Sequence, residues 1–345
     1  MLCMKLRNAI LQRSLRLVFL LALFCAMAGM SGYSVAAPTR KCTPDEKAQA
    51  DKQLRLNKRD QQLSIERHLP WGVPTATVPV DNEEVLVHRD YVINYDRDLL
   101  VPIWTAHRLD AKGLGTIDRV DCFRPDPRIN APYASLQSDY DEPIFDQGHL
   151  SPNGDMSRAL IPVLNSFVMS NMTPQYCQFN RGVWQILEGL VRLWVADKDR
   201  GTVYLITGSI FDRNNDGKRD PDSSAKRMKS KNGKSRVAVP SHFYKIVIHQ
   251  KTDGTIETIS FLLPHDQTDL DGDPAFQYLE KNIHSIEEIE AVAGLKFFPK
   301  VAQERPEAAV AVEKARALHL WPFTGKRPSS LAHSAQCRST LGADR

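Results

Sequence analysis

Several things are scarce in this chain, and each scarcity excludes something. Its 345 residues hold only six cysteines. None are spaced as C-x-x-C, which excludes the common structural zinc ribbons and fingers. Charge of one sign is not in large excess: 45 Lys and Arg against 41 Asp and Glu leave a formal net charge of +4. That balance permits a polyanionic partner without demanding one. No apolar run reaches the roughly 20 residues of a membrane span; the longest, at 17–30, is shorter. No internal repeat recurs, so a solenoid or propeller is excluded. Strands and helices do not alternate regularly, which argues against a doubly wound parallel sheet.

The N-terminus carries the first positive signal. Arg7, Arg13 and Arg16 precede the apolar run, and SVAAP follows at 34–38. A basic start, a short apolar middle and small residues at the cut describe a secretory signal peptide. Residues 1–36 are therefore expected to be removed after Ala36, sending the chain to the periplasm or the medium with no stable membrane association. Cys25 lacks a lipoprotein pattern. Cleavage leaves Cys42, Cys122, Cys177 and Cys337, which implies two disulfides in an oxidising compartment. Sequence leaves all three pairings open. A bridge from Cys42 or Cys337 would tie a terminal segment to the body.

Residues 37–68 are polar with scattered Leu, which predicts an exposed helical or partly ordered arm. Residues 69–305 form the expected α+β domain, and 306–345 a peripheral tail. β-branched and aromatic runs at 101–109, 203–211, 242–250 and 256–264 predict strands. SIEEIEAVAGL at 285–295 has a Ser cap, early glutamates and a Gly near its end, which predicts a short helix. In NRGVWQILEGLVRLW at 180–194, Val183, Leu187, Leu190 and Trp194 share one helical face, the buried one. Asn180, Trp184, Glu188 and Arg192, spaced by four, form a neighbouring stripe along the core margin.

DQGHLSPNGDM at 146–156, MSNMTPQ at 169–175, FNRGVWQILE at 179–188 and Arg192 together resemble the core of the DNA/RNA non-specific endonuclease family. ITGSIF, VPSHFYKIVI, FLLPHD and EIEAVAGLKFFP follow in family order, so the resemblance runs from about Leu69 to Pro299. It implies the ββα-metal (His-Me finger) nuclease fold, endonuclease G-like, with a central mainly antiparallel sheet flanked by helices. It implies an endonuclease that hydrolyses both DNA and RNA to 5′-phosphate and 3′-hydroxyl ends with Mg²⁺, for which Mn²⁺ substitutes. His149 matches the general base, Asn180 the direct metal ligand, and Glu188 the carboxylate that holds the metal's water shell. Arg192 matches a phosphate-binding guanidinium, and Asn171 an asparagine supporting the substrate or the His loop. Asp146 and Gly148 frame the base. An upstream arginine belongs to the pattern: Arg119 is favoured, and Arg124 and Arg128 are the alternatives. Gln147 stands where the family usually has Arg, so a phosphate-directed charge is missing there. A DNA-selective phosphodiesterase and a nucleic-acid-binding protein on a degenerate nuclease scaffold are the alternatives. A homodimer is left open.

The chemistry suits these residue types. His accepts a proton near neutral pH. Mg²⁺ prefers oxygen donors, keeps most of its waters and needs few protein ligands. Arg binds phosphate bidentately. The basic segment at 224–236 reads equally as a source of further phosphate contacts or as a solvated surface loop. One other segment suggests metal: Asp212, Asn214, Asp216 and Asp220 follow the opening spacing of a calcium loop, but Ser223 stands where a bidentate Glu is expected. A structural Ca²⁺ or a plain Asp/Asn/Gly turn fits that stretch.

Overall fold

All four β-branched and aromatic runs become strands, and they line up side by side. The computed structural model describes residues 39–330 apart from 79, 199 and 230–235; the expected signal peptide and Cys337 lie outside the described residues. The strands are β1 (Glu83–Val87), β2 (Val92–Asp96), β3 (Val101–Asp110), β4 (Phe145–His149), β5 (Met172–Tyr176), β6 (Thr202–Ile210), β7 (His242–Gln250), β8 (Ile256–Pro264) and β9 (Ile283–His284). Seven of them form one sheet in the order β9-β8-β7-β6-β3-β2-β1, and every pairing is antiparallel. β4 and β5 form a separate antiparallel pair.

Helices flank the strands, among them α1 (Pro44–Gln53), α2 (Lys58–His68), α3 (Leu160–Ser166), α4 (Gln185–Ala196), α5 (Gly272–Lys281) and α6 (Ile286–Ala293). Both faces of the large sheet are covered, which is why its central strands read as continuous apolar runs. On one face Trp104, Ile206, Tyr244, Ile246 and Ile248 pack with Ile286 and Ile289 of α6. On the other, Leu205, Phe243 and Val247 pack with Leu187, Leu190 and Trp194 of α4. α6 starts at the capping box of Ser285 and Glu288 and stops at Gly294, whose φ of 66° suits a residue without Cβ.

Two terminal segments differ from expectation. The polar arm is docked: Ala50 and Leu54 are buried, a Cys42–Cys122 disulfide closes over it, and Arg124 Nε donates to Asp51 Oδ1 of α1 at 2.7 Å. Its few apolar residues suffice to cover one side. Cys177 is also disulfide-bonded. The C-terminal segment is not peripheral either. It packs along α4: Trp194 Nε1 donates to Trp321 O at 2.9 Å, the two indole rings meet edge-on at 5.4 Å, and Pro328 fills the space above Gly189. Among the described residues, no helix is long and apolar enough to cross a membrane.

Candidate active site

The β4–β5 pair and the helical segment that follows it make a ββα unit at one edge of a cleft of about 720 Å³. His149 is the last residue of β4, opposite Met172 in the register. Its ring meets Phe167 edge-on at 4.8 Å and lies 6.1 Å from Phe123. Gly148 must be glycine because a Cβ there would run into the Gln175 side chain of β5. Immediately after the strand, Asn171 staples the loop. Its Oδ1 accepts Ser151 N–H at 3.0 Å, and its Nδ2 donates to Ser151 O and Ser166 O at 2.9 and 2.8 Å. Asn171 is fully buried and does not line the cleft. Of the two tasks its position suggested, it performs the support of the His loop.

The segment carrying Asn180 and Glu188 is not one regular helix. The segment Asn180–Trp184 is kinked at Gly182, whose φ of −99° and ψ of −115° are not helical, and α-helical geometry resumes at Gln185. The kink rotates Trp184 into the core, 1% exposed, where it stacks with Phe179 at 5.5 Å. Asn180, Glu188 and Arg192 nonetheless all line the cleft, together with His149, Gln147 and Arg119.

Each of these side chains is held by another. Asp146, expected to frame the base, instead accepts Asn180 Nδ2 at 2.9 Å. Its two oxygens also bind Arg181 Nε and Nη2 at 2.9 and 2.8 Å. With Nδ2 engaged, the remaining polar atom of the Asn180 side chain is Oδ1, an oxygen donor suited to a hard cation. Arg192 Nη1 donates to Asp155 Oδ1 at 3.0 Å, and the other Asp155 oxygen meets His107 Nε2 at 3.1 Å. Arg119 Nε donates to Asp121 Oδ1 at 2.6 Å, and its guanidinium lies 4.9 Å over the Phe167 ring.

Burial tunes the ionisable groups. It pushes the His149 imidazole down to about 3, with the nearby Arg119 charge adding to the effect. His149 is therefore neutral at neutral pH. Its Nε2 has no hydrogen-bond partner among the described residues. Burial raises the Glu188 carboxyl to about 7 against the pull of Lys245 and Arg192. Lys245 sits on β7 at 1% exposure, donates to Thr207 Oγ1 at 2.9 Å and lies 4.6 Å over Trp184. Its Nζ is lowered to about 8, chiefly by burial.

One expected assignment fails. Arg124 does not reach the cleft: its guanidinium is 1% exposed and its donors go to Asp51, Cys122 O, Leu164 O and Asn165 Oδ1. It is a structural cation, buried away from the cleft. The 212–223 loop, expected to be either a calcium loop or a plain turn, closes on its own backbone. Asp212 accepts the N–H groups of Asp216 and Gly217 at 3.1 and 3.0 Å, Asn214 Nδ2 donates to Asp216 at 3.0 Å, and Asp220 accepts Arg213 N–H at 2.8 Å. These are Asx turns closed on their own backbone. The loop's cation is Arg219, paired with Glu83, Asp96 and Asp222 at 3.1, 3.2 and 3.0 Å. Among the described residues no group of three or more His, Cys, Asp or Glu is placed to hold a metal.

Arg181, Gln185, Asp121, Phe123 and Tyr140 also line the cleft and escaped the sequence reading, as did the Asp155–His107 support. Arg181 sits beside Asn180 in sequence, and Asp155 closes the PNGD turn, so adjacency to named residues was the available signal. Lys245 was visible as a charge in the middle of an apolar strand.

Comparison with known proteins agrees with this geometry. Residues 74–304 match the family described as DNA/RNA non-specific endonuclease. Nuclease C1 of Cunninghamella echinulata var. echinulata is 32% identical over 230 residues, covering 65% of this chain and 86% of its own. Mitochondrial endonuclease G of Homo sapiens is 31% identical over 213 residues, covering 61% of this chain and 68% of its own. A solved chain from the EndoG/EndoGI complex, which concerns the mechanism of EndoG inhibition, superposes with a TM-score of 0.55 at 27% identity, covering 70% of this chain and 94% of that one. With a His-tipped ββα unit facing Asn180 and Glu188 and a family match over most of its length, the chain belongs to the DNA/RNA non-specific endonucleases and is a nuclease enzyme.

Proposed function

We propose that the protein is an exported, Mg²⁺-dependent endonuclease that hydrolyses phosphodiester bonds of DNA and RNA alike, leaving 5′-phosphate and 3′-hydroxyl ends. The observation that carries this reading is the convergence of His149, Asn180, Glu188 and Arg192 on one cleft. His149 takes the proton from the attacking water. It is neutral at pH 7 because burial and Arg119 depress its proton affinity. A phosphate drawn to Arg119 offsets that charge and raises the basicity of the imidazole as substrate binds. Arg192, aimed by Asp155, binds the non-bridging phosphate oxygens. Asn180 Oδ1 would hold the metal directly and Glu188 through water. The pair fits Mg²⁺, with Mn²⁺ as its substitute, because both are oxygen donors and few protein ligands are needed. When bound, the cation neutralises charge on the phosphate and the leaving oxygen.

Backbone-directed contacts carry no sequence information, which supports broad substrates. The Cys42–Cys122 bridge supports export to the periplasm or the medium. The test is incubation of the mature protein with plasmid and with RNA, in Mg²⁺ or EDTA, alongside His149→Ala. Metal-dependent cleavage of both substrates, lost in the variant by at least a hundredfold, is expected. Cleavage of DNA alone would favour a selective phosphodiesterase that lacks an arginine at Gln147. Binding with no cleavage would sink the nuclease reading of this particular chain, and undiminished cleavage by His149→Ala would mean another residue is the base.

A further inference from the structure

A second pocket, of about 270 Å³, lies behind the finger, lined by Tyr176, Arg213, Lys226, His242, Pro264 and other residues. It shares no lining residue with the active cleft but adjoins it through one ring pair. Phe145 lines the cleft and packs against Tyr176 with ring centroids 4.6 Å apart. The finger pair therefore presents one aromatic seam whose Phe side faces the catalytic residues and whose Tyr side faces the second pocket. Lys226 sits over that seam, with Nζ 5.8 and 5.7 Å from the two centroids and donating to Tyr176 Oη at 3.2 Å.

The charges around the pocket are mostly uncompensated. Lys226 and Arg213 are both exposed, and neither makes an ion pair with a carboxylate among the described residues. The one acidic lining residue, Asp220, uses Oδ2 to accept Arg213 N–H at 2.8 Å. Tyr176 is fixed from behind, since His265 Nε2 accepts its backbone N–H at 2.8 Å while the His265 ring packs on the tyrosine at 4.6 Å. A rigid aromatic ring beside two free cations suits a nucleotide, whose base stacks on the ring and whose phosphate takes the cations.

We propose that this pocket binds a flanking nucleotide of the same strand whose scissile phosphate lies at His149, with Tyr176 under the base and Lys226 and Arg213 on its phosphate. The inference rests on the nuclease reading for its ligand class. It explains how a cleft lacking a charge at Gln147 still holds a polyanion: the missing cation is replaced further along the strand.

The test measures binding by fluorescence anisotropy of labelled single strands of about four and about twelve nucleotides, in EDTA, so that cleavage is not needed for the readout. Lys226→Ala, Arg213→Ala and their double variant are compared with Lys251→Ala. This last change removes one charge at the far end of β7, from a lysine paired with Glu257. The expected result is that the advantage of the long strand shrinks about tenfold in the double variant and survives in Lys251→Ala. The slope of log Kd against log salt should also flatten by about 0.7 for each phosphate contact removed. A Tyr176→Leu variant should lose the same length advantage while keeping the salt slope. Equal behaviour of the double variant and Lys251→Ala, or equal loss on short and long strands, would overturn the subsite. Cleavage assays run in parallel separate the two readings. An intact nuclease with no length effect removes only the subsite. A length effect in a protein that never cleaves removes only the enzymatic assignment.

Discussion

Asp146 shows how one carboxylate sets a site it does not complete. It binds both Asn180 and Arg181, so it orients the residue expected to hold the metal while confining a cation next to it. Supporting groups of this kind typically govern metal affinity by ten- to a hundredfold. Asp146→Ala should raise the Mg²⁺ concentration for half-maximal cleavage by about that factor, and excess Mg²⁺ should restore much of the rate; a rate loss that no Mg²⁺ concentration rescues would refute the orienting role. Gln147 gives the opposite kind of experiment. It already faces the cleft, so Gln147→Arg adds a guanidinium where phosphate passes. KM for long substrates should fall, and the salt dependence of KM should steepen by about 0.7 to 0.9 in log–log slope. The arginines at 119, 124 and 128 show why residue type alone does not place a site. Arg119 is 45% exposed and lines the cleft. Arg124 is sealed by Asp51 and Asn165, while Arg128 is clamped by Asp126, His88 and Val87 O. The deciding partners of Arg124 come from segments more than 40 residues away, which local sequence does not reveal.

At the scale of elements, the large sheet was legible because both its faces are covered and its strands are apolar throughout. The β1–β2 hairpin went unnamed because β1 is half polar, with Glu83 and Glu84 among its five residues. The face of α4 was also legible: Val183, Leu187, Leu190 and Trp194 are all buried as their spacing requires. What periodicity did not reveal is the kink at Gly182, because a constant angle per residue cannot register a non-helical residue inside a helical run. The C-terminal strap was missed for a different reason. It has little regular structure and earns its place through contacts at Gly189, Trp194 and Arg200. A Cβ at Gly189 would lie 2.6 Å from Pro328 Cβ. Gly189→Ala should therefore displace the strap and destabilise the fold by about 1–3 kcal/mol, despite alanine's better helix propensity. Pro328→Gly, which removes the clashing Cβ, should relieve most of that loss. Thermal denaturation of the two single variants and the double variant checks this, and strict additivity would show that the two residues do not meet.

Across the whole molecule, buried histidines couple stability to pH. Burial drives His68, His149 and His265 each down to about 3 and His88 well below its ordinary value. In the unfolded chain each titrates near 6.5. Between about pH 6.5 and 3 the unfolded state therefore binds protons that the folded state refuses, and stability falls as pH falls through that window. Three carboxyls act in the opposite direction. Burial raises Asp96 to about 6, Glu188 to about 7 and Glu290 above its ordinary value, so their stabilising contribution is present at low pH and is lost as pH rises through their folded values. Asp126 and Asp155, held low by Arg128 and by His107 and Arg192 against the cost of burial, side with the histidines. With His242 also lowered by burial, the histidines and the two aspartates outnumber the raised carboxyls, and Tm should drop from pH 7 to pH 4. His265→Gln tests the assignment most cleanly, since His265 lies outside the catalytic cleft and serves as a neutral ring that accepts Tyr176 N–H and contacts Pro240 O. Glutamine can replace both contacts but cannot titrate. The variant should be less stable than the parent at pH 7, and the gap should narrow or reverse by pH 4; parallel Tm profiles would mean that His265 takes up its proton in the folded state as readily as in the unfolded one.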